Sequence, residues 1–340
     1  MWYNEYGKDG DVVLSSRIRL ARNIKDTPFP YRASKEQQHK IIETCKNAVI
    51  GEDSPYKDSV KYIDLNKMEP YQKQAIAELH LISPNMIDDS IERGILLSDD
   101  NKICIMVNEE DHMRIQCMSA GFDLDSCYTE ADKLDDMIEE KIDYAFDKDF
   151  GYLTCCPTNV GTGLRASVMV HLPALVASGT FSKLANSLAQ LGLAVRGIYG
   201  EGSKAIGNIF QISNQVTLGV NEEDTIEQFK QIIAEVIENE RVLRDKLHKT
   251  QKYNLEDKLM RSYGILTNSV LMTSNEAMKR LSDIRFAKDL NILDDSISYE
   301  TLNELTYSVL PANIAKNYNL FDETERDLKR AEIIKEKLKS

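Results

Sequence analysis

The chain has 340 residues, with 42 basic against 55 acidic side chains and a formal charge of −13, a length that suggests two or three domains. No stretch approaches the roughly 18 apolar residues of a membrane span, and the start Met1-Trp2-Tyr3-Asn4-Glu5 lacks a basic segment followed by an apolar run, so a cytoplasmic protein is expected. So acidic a chain is not built to coat nucleic acid, and its six cysteines, without CxxC or Cys/His spacing, form neither a zinc site nor a disulfide scaffold.

In chain order, short apolar or β-branched runs predict strands over Asp11–Leu14, Val60–Asp64, Lys102–Val107, Met113–Met118, Gly151–Cys156, Leu193–Ile198 and Asn208–Ser213. Helices are predicted over Ser34–Ile50, opened by Ser34 and Gln37 as a capping box, then Pro70–Leu81, Ala131–Lys148 and Thr225–Thr250. Several strands follow one another through connections too short for a crossover helix. An α+β fold with a mostly antiparallel sheet flanked by helices is therefore expected. Beyond about Lys252 strand signals vanish, and Leu255–Tyr263, Asn275–Leu290, Tyr299–Leu310 and Asp322–Leu338 read as amphipathic helices. This divides the chain into residues 1–250, with 28 basic and 40 acidic side chains, and an all-helical region 251–340, with 14 and 15.

The 50 residues from Gly151 to Gly200 contain no acid at all but hold Arg165, Lys183 and Arg196. Basic residues beside glycine-rich turns in an acid-free window point to an anion site. Four segments carry the candidate chemistry. In Ser15-Ser16-Arg17-Ile18-Arg19, strand alternation puts Arg17 and Arg19 on one face about 7 Å apart, a repulsive pair unless an anion lies between them. Asn108-Glu109-Glu110-Asp111-His112-Met113-Arg114 presents acid and base together at one end of a sheet.

The third, Cys155-Cys156-Pro157-Thr158-Asn159-Val160-Gly161-Thr162-Gly163-Leu164-Arg165-Ala166-Ser167, contains Gly-x-Gly-x-x-Ala. It lacks the acid some 20 residues on that would hold a ribose in a dinucleotide fold, and no phosphate-binding P-loop occurs in the chain, so any phosphates must be held by arginines. The fourth, Arg196-Gly197-Ile198-Tyr199-Gly200-Glu201-Gly202-Ser203, is a glycine-punctuated loop able to close on a ligand. Together Arg17, Arg19, Arg114, Arg165 and Arg196 supply guanidinium forks for a triphosphate, leaving Glu110 and Glu201 for a cationic partner.

These segments resemble the phosphagen (guanidino) kinase family, whose signature Cys-Pro-Thr-Asn-x-Gly-Thr appears as Cys156–Thr162; the likeness extends over roughly Asp11 to Lys246. The resemblance implies ATP with Mg²⁺, the metal bridging phosphate oxygens and held by water and nucleotide more than by side chains. The nucleotide contacts it implies are Ser15, Ser16, Arg17, Ile18 and Arg19; His80; Arg114; Arg165, Ala166, Ser167, Val168 and Met169; and Arg196, Gly197, Ile198, Tyr199, Gly200 and Glu201. Met169 stands where these kinases commonly have histidine. It also implies that Cys156, as a thiolate, and Glu110 and Glu201 grip the guanidinium acceptor, with Glu110, chosen over Glu109, as the base.

Small-molecule guanidino kinases carry a helical domain ahead of the Ser-x-Arg-x-Arg segment, which begins here at Ser15. Arg326-Asp327-Leu328-Lys329-Arg330-Ala331 resembles the Arg-Asp-x-x-Arg-Ala motif of the branch that phosphorylates arginine in proteins. There Arg326, Asp327, Arg330 and Ala331 would form an allosteric phosphoarginine site, Arg326 and Arg330 lying one turn apart on a helix. The resemblance further implies protein substrates with exposed arginine, an activator protein, a Clp-type unfoldase that receives marked proteins under stress, and a homodimer. A free-guanidine kinase and a noncatalytic phosphoarginine reader remain as alternatives.

Overall fold

The chain's longest strand, β1 (Val13–Arg22), runs through the arginine segment in the computed structural model, which describes residues 1–197, 206–293 and 297–339. The strand expected to end at Leu14 continues because Ile18 and Leu20 alternate with Arg17 and Arg19 and are themselves fully buried. Around β1 the strands β2 (Val60–Asp64), β3 (Gly94–Ser98), β4 (Ile103–Val107), β5 (Met113–Ala120), β8 (Leu164–His171), β9 (Leu193–Gly197) and β10 (Ile209–Asn214) form an eight-stranded sheet. Its order is β2-β3-β4-β5-β1-β8-β10-β9, with a two-stranded ribbon β6 (Phe146–Asp147) and β7 (Gly151–Tyr152) apart from it. Every pairing is antiparallel.

One face of the sheet, with Ile18, Leu20, Ile105, Ile115, Ala166, Val168 and Ile212, is covered by α1 (Lys35–Ile50), α3 (Leu124–Glu139) and α6 (Glu222–Thr250) through Ile41, Leu134, Phe229 and Ile233. The capping box at the head of α1 forms as the sequence predicts, Ser34 Oγ accepting from Gln37 N–H while Gln37 Oε1 accepts from Ser34 N–H. The opposite face is apolar at its margins, where Met106, Met118, Met169 and Ile209 share a core with Trp2, Leu266, Leu281, Leu305, Tyr307 and Ile334. Those partners belong largely to α7 (Lys252–Asn268), α8 (Ser274–Asp289), α9 (Tyr299–Ser308), α10 (Pro311–Tyr318) and α11 (Glu323–Lys339). The helical region thus packs on the sheet it follows in sequence. One joint is polar: Glu78, at the end of α2 (Pro70–Glu78), accepts the N–H groups of Ala312 and Asn313 at 2.9 Å each and so caps α10.

Several expectations change in the structure. The helix expected over Ala131–Lys148 is α3, which starts seven residues earlier because Asp123 accepts the Ser126 N–H. Its expected C-terminal end is instead the turn into β6 and β7, where Asp147 Oδ1 accepts the N–H groups of Asp149 and Phe150. The strand expected over Gly151–Cys156 shortens to Gly151–Tyr152. Not foreseen were β3, β8, α10, α4 (Pro173–Ala177) and α5 (Phe181–Gln190). No described helix is long and apolar enough to cross a membrane.

Candidate active site

The polar centre of the sheet's second face is a ladder of cross-strand partners. Arg19 of β1 faces Arg165 of β8 on one side and Gln116 of β5 on the other, and Arg17 faces Ser167 and Met118. Arg114 enters from the head of β5, and Arg196 from β9, opposite Gln211. Two clefts of about 450 and 370 Å³ open on this ladder and share Arg19, Arg196, Ser83 and Asn85; the first also takes in Arg17, His80 and Gln116, the second Arg114, Arg165, Glu109, Glu110, Cys156 and Asn159. The five arginines read from the sequence therefore meet in one continuous depression, with the acids and the thiol at one end.

The electrostatics of this group are those of a site short of counter-charge. Burial, then the charges of Arg114 and Arg165, pulls Arg17 down to about 10. Arg19 is drawn well below its ordinary value by burial and by Arg17, Arg114 and Arg165, with Glu109 opposing. Burial, Arg196 and Arg114 lower Arg165. Guanidiniums stay protonated at neutral pH, so an anion placed among them would offset their mutual repulsion. Among the described residues Arg19 Nε has no hydrogen-bond partner, while Arg17 Nε donates to Ser167 Oγ at 3.2 Å and Arg165 donates to Asn159 Oδ1 at 3.4 Å.

At the far end the acidic turn is mostly buried rather than solvated. Glu109 is held by Arg114 at 2.8 Å and by the Ser83 hydroxyl at 2.6 Å, with 1% of its side chain exposed; Glu110 lies 3.3 Å from Arg114 with 32% exposed. Glu110 is the carboxylate that faces the opening. Burial raises its pKa, Arg114 opposes this, the charges of Glu109 and Asp111 add to it, and the Cys156 thiol holds it down. Asp111 accepts both the Asn23 side-chain amide and the Cys155 N–H at 2.7 Å, which ties the acidic turn to the loop that carries Cys156. Cys156 Sγ lies 3.0 Å from Thr158 Oγ1.

Other predicted contacts divide by sheet parity. Ser15, Ser167 and Met169 lie on the cleft face with the arginines. The side chains of Ser16, Ile18, Ala166 and Val168 point to the opposite face, Ser16 to the Gly121 carbonyl and the other three into the core, so these four can offer the cleft only backbone. His80 lines the cleft in a left-handed conformation (φ 58°), its carbonyl accepting from Gln116 at 3.0 Å and its ring edge-on to Tyr307. Burial and Arg17 push its pKa down to about 3, so the ring is neutral. Gly197 closes β9. Ile198, Tyr199, Gly200 and Glu201 lie outside the described residues.

The helical motif is disposed differently. Arg330 is 1% exposed and donates to the carbonyls of Val309 at 2.6 Å and Met272 at 2.8 Å, and pairs with Asp327. Arg326 is half-buried and donates to the Phe321 carbonyl, while Ala331 is buried. Arg326 and Arg330 thus share a helix face but not an open pocket. Sequence reasoning missed Ser83, Asn85, Gln116 and Asn23, polar residues in segments without a charge pattern. Among the described residues no group of three or more His, Cys, Asp or Glu side chains could hold a metal ion.

A sheet face of converging arginines opposite a carboxylate and a thiol defines a phosphotransferase site, and comparison with known proteins agrees. Residues 40–243 match the family described as ATP:guanido phosphotransferase, C-terminal catalytic domain, and residues 252–340 match the Protein-arginine kinase McsB C-terminal domain. The chain is 48% identical over 331 residues to the protein-arginine kinase of Caldanaerobacter subterraneus subsp. tengcongensis, covering 97% of this chain and 98% of that protein. It is 46% identical to that of Bacillus subtilis over 338 residues, 99% of this chain and 93% of that protein.

Among solved structures, a lombricine kinase aligns with a TM-score of 0.62 at 26% identity, over 72% of this chain and 71% of that one. The duplicated taurocyamine kinase of Schistosoma mansoni, solved with bound transition-state analog components, also gives 0.62 and 26%, over 69% of this chain and 34% of that one. The chain belongs to the protein-arginine kinase branch of the ATP:guanido phosphotransferase family.

Proposed function

We propose that this enzyme transfers the γ-phosphoryl group of ATP to a guanidinium nitrogen of arginine residues in proteins. The observation that carries the reading is the convergence of Arg17, Arg19, Arg114, Arg165 and Arg196 in one cleft that ends at Glu110 and Cys156. Guanidinium forks match the oxygens of a nucleotide polyphosphate in a bidentate way, and their mutual repulsion is lowest when that anion is bound. Charge that builds on the transferring group meets donors already oriented, the largest contribution a protein makes to this kind of reaction.

At the acceptor end the substrate guanidinium is a poor nucleophile because its lone pairs are delocalised. Glu110 orients it and accepts one of its protons as the N–P bond forms and the bond from phosphorus to the ADP oxygen breaks. Cys156 lies against the same cation, and Glu201 is proposed to join it from the loop after β9. A magnesium ion, when bound, offsets charge on the phosphates. It would be held by the nucleotide and water more than by side chains.

The use of phosphoarginine as a mark read by a Clp-type unfoldase, and its binding by Arg326, Asp327 and Arg330, belong to the same proposal. The second requires Arg330 to exchange its carbonyl partners for a ligand. The test is incubation of the enzyme with Mg-ATP and an arginine-rich protein, followed by mass spectrometry at neutral pH to preserve the acid-labile N–P bond. Phosphoarginine on the protein with free arginine left unmodified is expected. Phosphorylation of free arginine alone would make the enzyme a phosphagen kinase instead.

A further inference from the structure

The two clefts differ in what they offer a nucleotide. Glu110 and Cys156, where the γ-phosphoryl group would leave, line the second, and Arg19 and Arg196 line both. With the phosphates held by the shared arginines, the nucleoside has the other end of the first cleft to occupy, beside Gln74, Ala77 and His80. Among the described residues that line this cleft, His80 supplies the one ring.

The backbone of His80 is fixed from the sheet domain. Its left-handed φ of 58° is a conformation that a residue with a side chain keeps only where its surroundings hold it. Its N–H donates to the Ala77 carbonyl at 2.9 Å, and its carbonyl accepts from Gln116 Nε2 at 3.0 Å. The ring is held from elsewhere. Tyr307 of α9 meets it edge-on, the centroids 6.0 Å apart and the planes at 84°. Tyr307 in turn packs edge-on to Trp2 at 5.4 Å and tilted against Tyr3 at 5.6 Å. Tyr307 and Trp2 are 2 and 1% exposed, so the tyrosine has no room to swing aside. The helical region thus touches the nucleoside end of a cleft whose described lining residues all belong to the first 250.

Resting on the reading of this cleft as an ATP site, we infer that Tyr307 is a positioning residue for the nucleoside: it fixes the plane of the His80 ring on which the base lies, while the arginines hold the phosphates without it. Aromatic rings favour edge-to-face partners, and a ring already fixed by one such partner loses less freedom when a second flat group stacks on it. Tyr307 bears on Arg17 as well, whose pKa burial, Arg114 and Arg165 lower and Tyr307 raises. These two routes from Tyr307 lead to different parts of ATP, which makes them separable.

The experiment titrates the full chain by calorimetry with Mg-ADP and with magnesium tripolyphosphate, which carries phosphates and no nucleoside. Tyr307→Met fills the space with a flexible chain instead of a ring. It should weaken ADP binding by about tenfold and leave tripolyphosphate binding as it was. Tyr307→Phe, which keeps the ring, should bind ADP as the unaltered protein does. KM for ATP should rise in Tyr307→Met while kcat holds. In a His80→Ala background Tyr307→Met should cost nothing more, because the two rings act as one unit. Equal losses for ADP and tripolyphosphate would mean that Tyr307 acts through Arg17 or by loosening the whole cleft, and would overturn the inference. So would an ADP affinity untouched by Tyr307→Met, or additive losses in the double variant. Should Tyr307→Met fail to fold, Trp2, the chain's one tryptophan, reads the same contact in the unaltered protein. ADP but not tripolyphosphate should shift its emission, and His80→Ala should abolish the shift; silence toward ADP, or one response to both ligands, would again overturn the inference. Absence of ADP binding by the unaltered protein would instead fell the ATP reading itself, and the inference with it.

Discussion

Arginine withdrawn from water appears twice in this molecule with opposite electrostatics. In the cleft, Arg17, Arg19 and Arg165 crowd one another and their pKa values fall. Where α6 meets α8, Arg244 is more deeply buried than these half-buried cleft residues, yet Glu240 at 2.8 Å and Asp289 at 2.9 Å outweigh the effect of burial and raise it. Arg22 behaves like Arg244, held by Asp135 at 2.6 Å. The second kind of arginine completes the fold. The first kind concentrates positive charge on one face of the sheet, where an anion would be stabilised.

Three measurements sharpen or break this contrast. The largest expected effect is that of Arg19→Met: kcat should fall by about a thousandfold or more, since one transition-state guanidinium is worth that much in phosphoryl transfer. The nucleotide-free protein should nevertheless become more stable, by on the order of 1 kcal/mol in denaturant titration, because a like charge has left a buried cluster. Loss of stability together with loss of activity would mean that Arg19 belongs with Arg244. Second, Arg244→Met should destabilise the chain by about 3–5 kcal/mol, leaving two buried carboxylates without their cation. A change under about 1 kcal/mol would erase the distinction.

The smallest effect concerns pH. Burial and the charges of Glu109 and Asp111 raise Glu110, so its proton-accepting form is lost, and kcat falls, at a pH above the ordinary glutamate range. Glu109→Gln removes one of those charges and should move this acid limb to lower pH. The same raised pKa makes Glu110 favour folding at low pH, a contribution lost as pH rises through the window between its unfolded and folded values. A limb that stays in position in Glu109→Gln would remove Glu110 as the group being titrated.

Much of the site could be read from charge alone. Arg17 and Arg19 on an alternating strand, and a window without acids around Arg165 and Arg196, needed only periodicity and counting. The burial of Glu109 and Asp111 is not legible in a run of three acids, because Ser83 and Asn23, distant in sequence, join the neighbouring Arg114 in holding them. β8 escaped notice because Gly163 (φ 65°) disguises its start as loop. The resemblance supplied residue lists without sheet parity, which is why Ile18 and Val168 were grouped with arginines whose side chains point the other way. Arg330 shows the same limit: spacing set it beside Arg326, and only the Val309 and Met272 carbonyls, brought close by other helices, draw it inside.

Glu78 closes the matter of how the two halves are joined. Its carboxylate grips the first turn of α10 two residues before the chain bends at His80 into the wall of the cleft. The helical half therefore works as a buttress: a cut after residue 250 would strip Glu78 of its partners, bare the methionine-lined margin of the sheet, and slacken the bend on which the cleft wall leans.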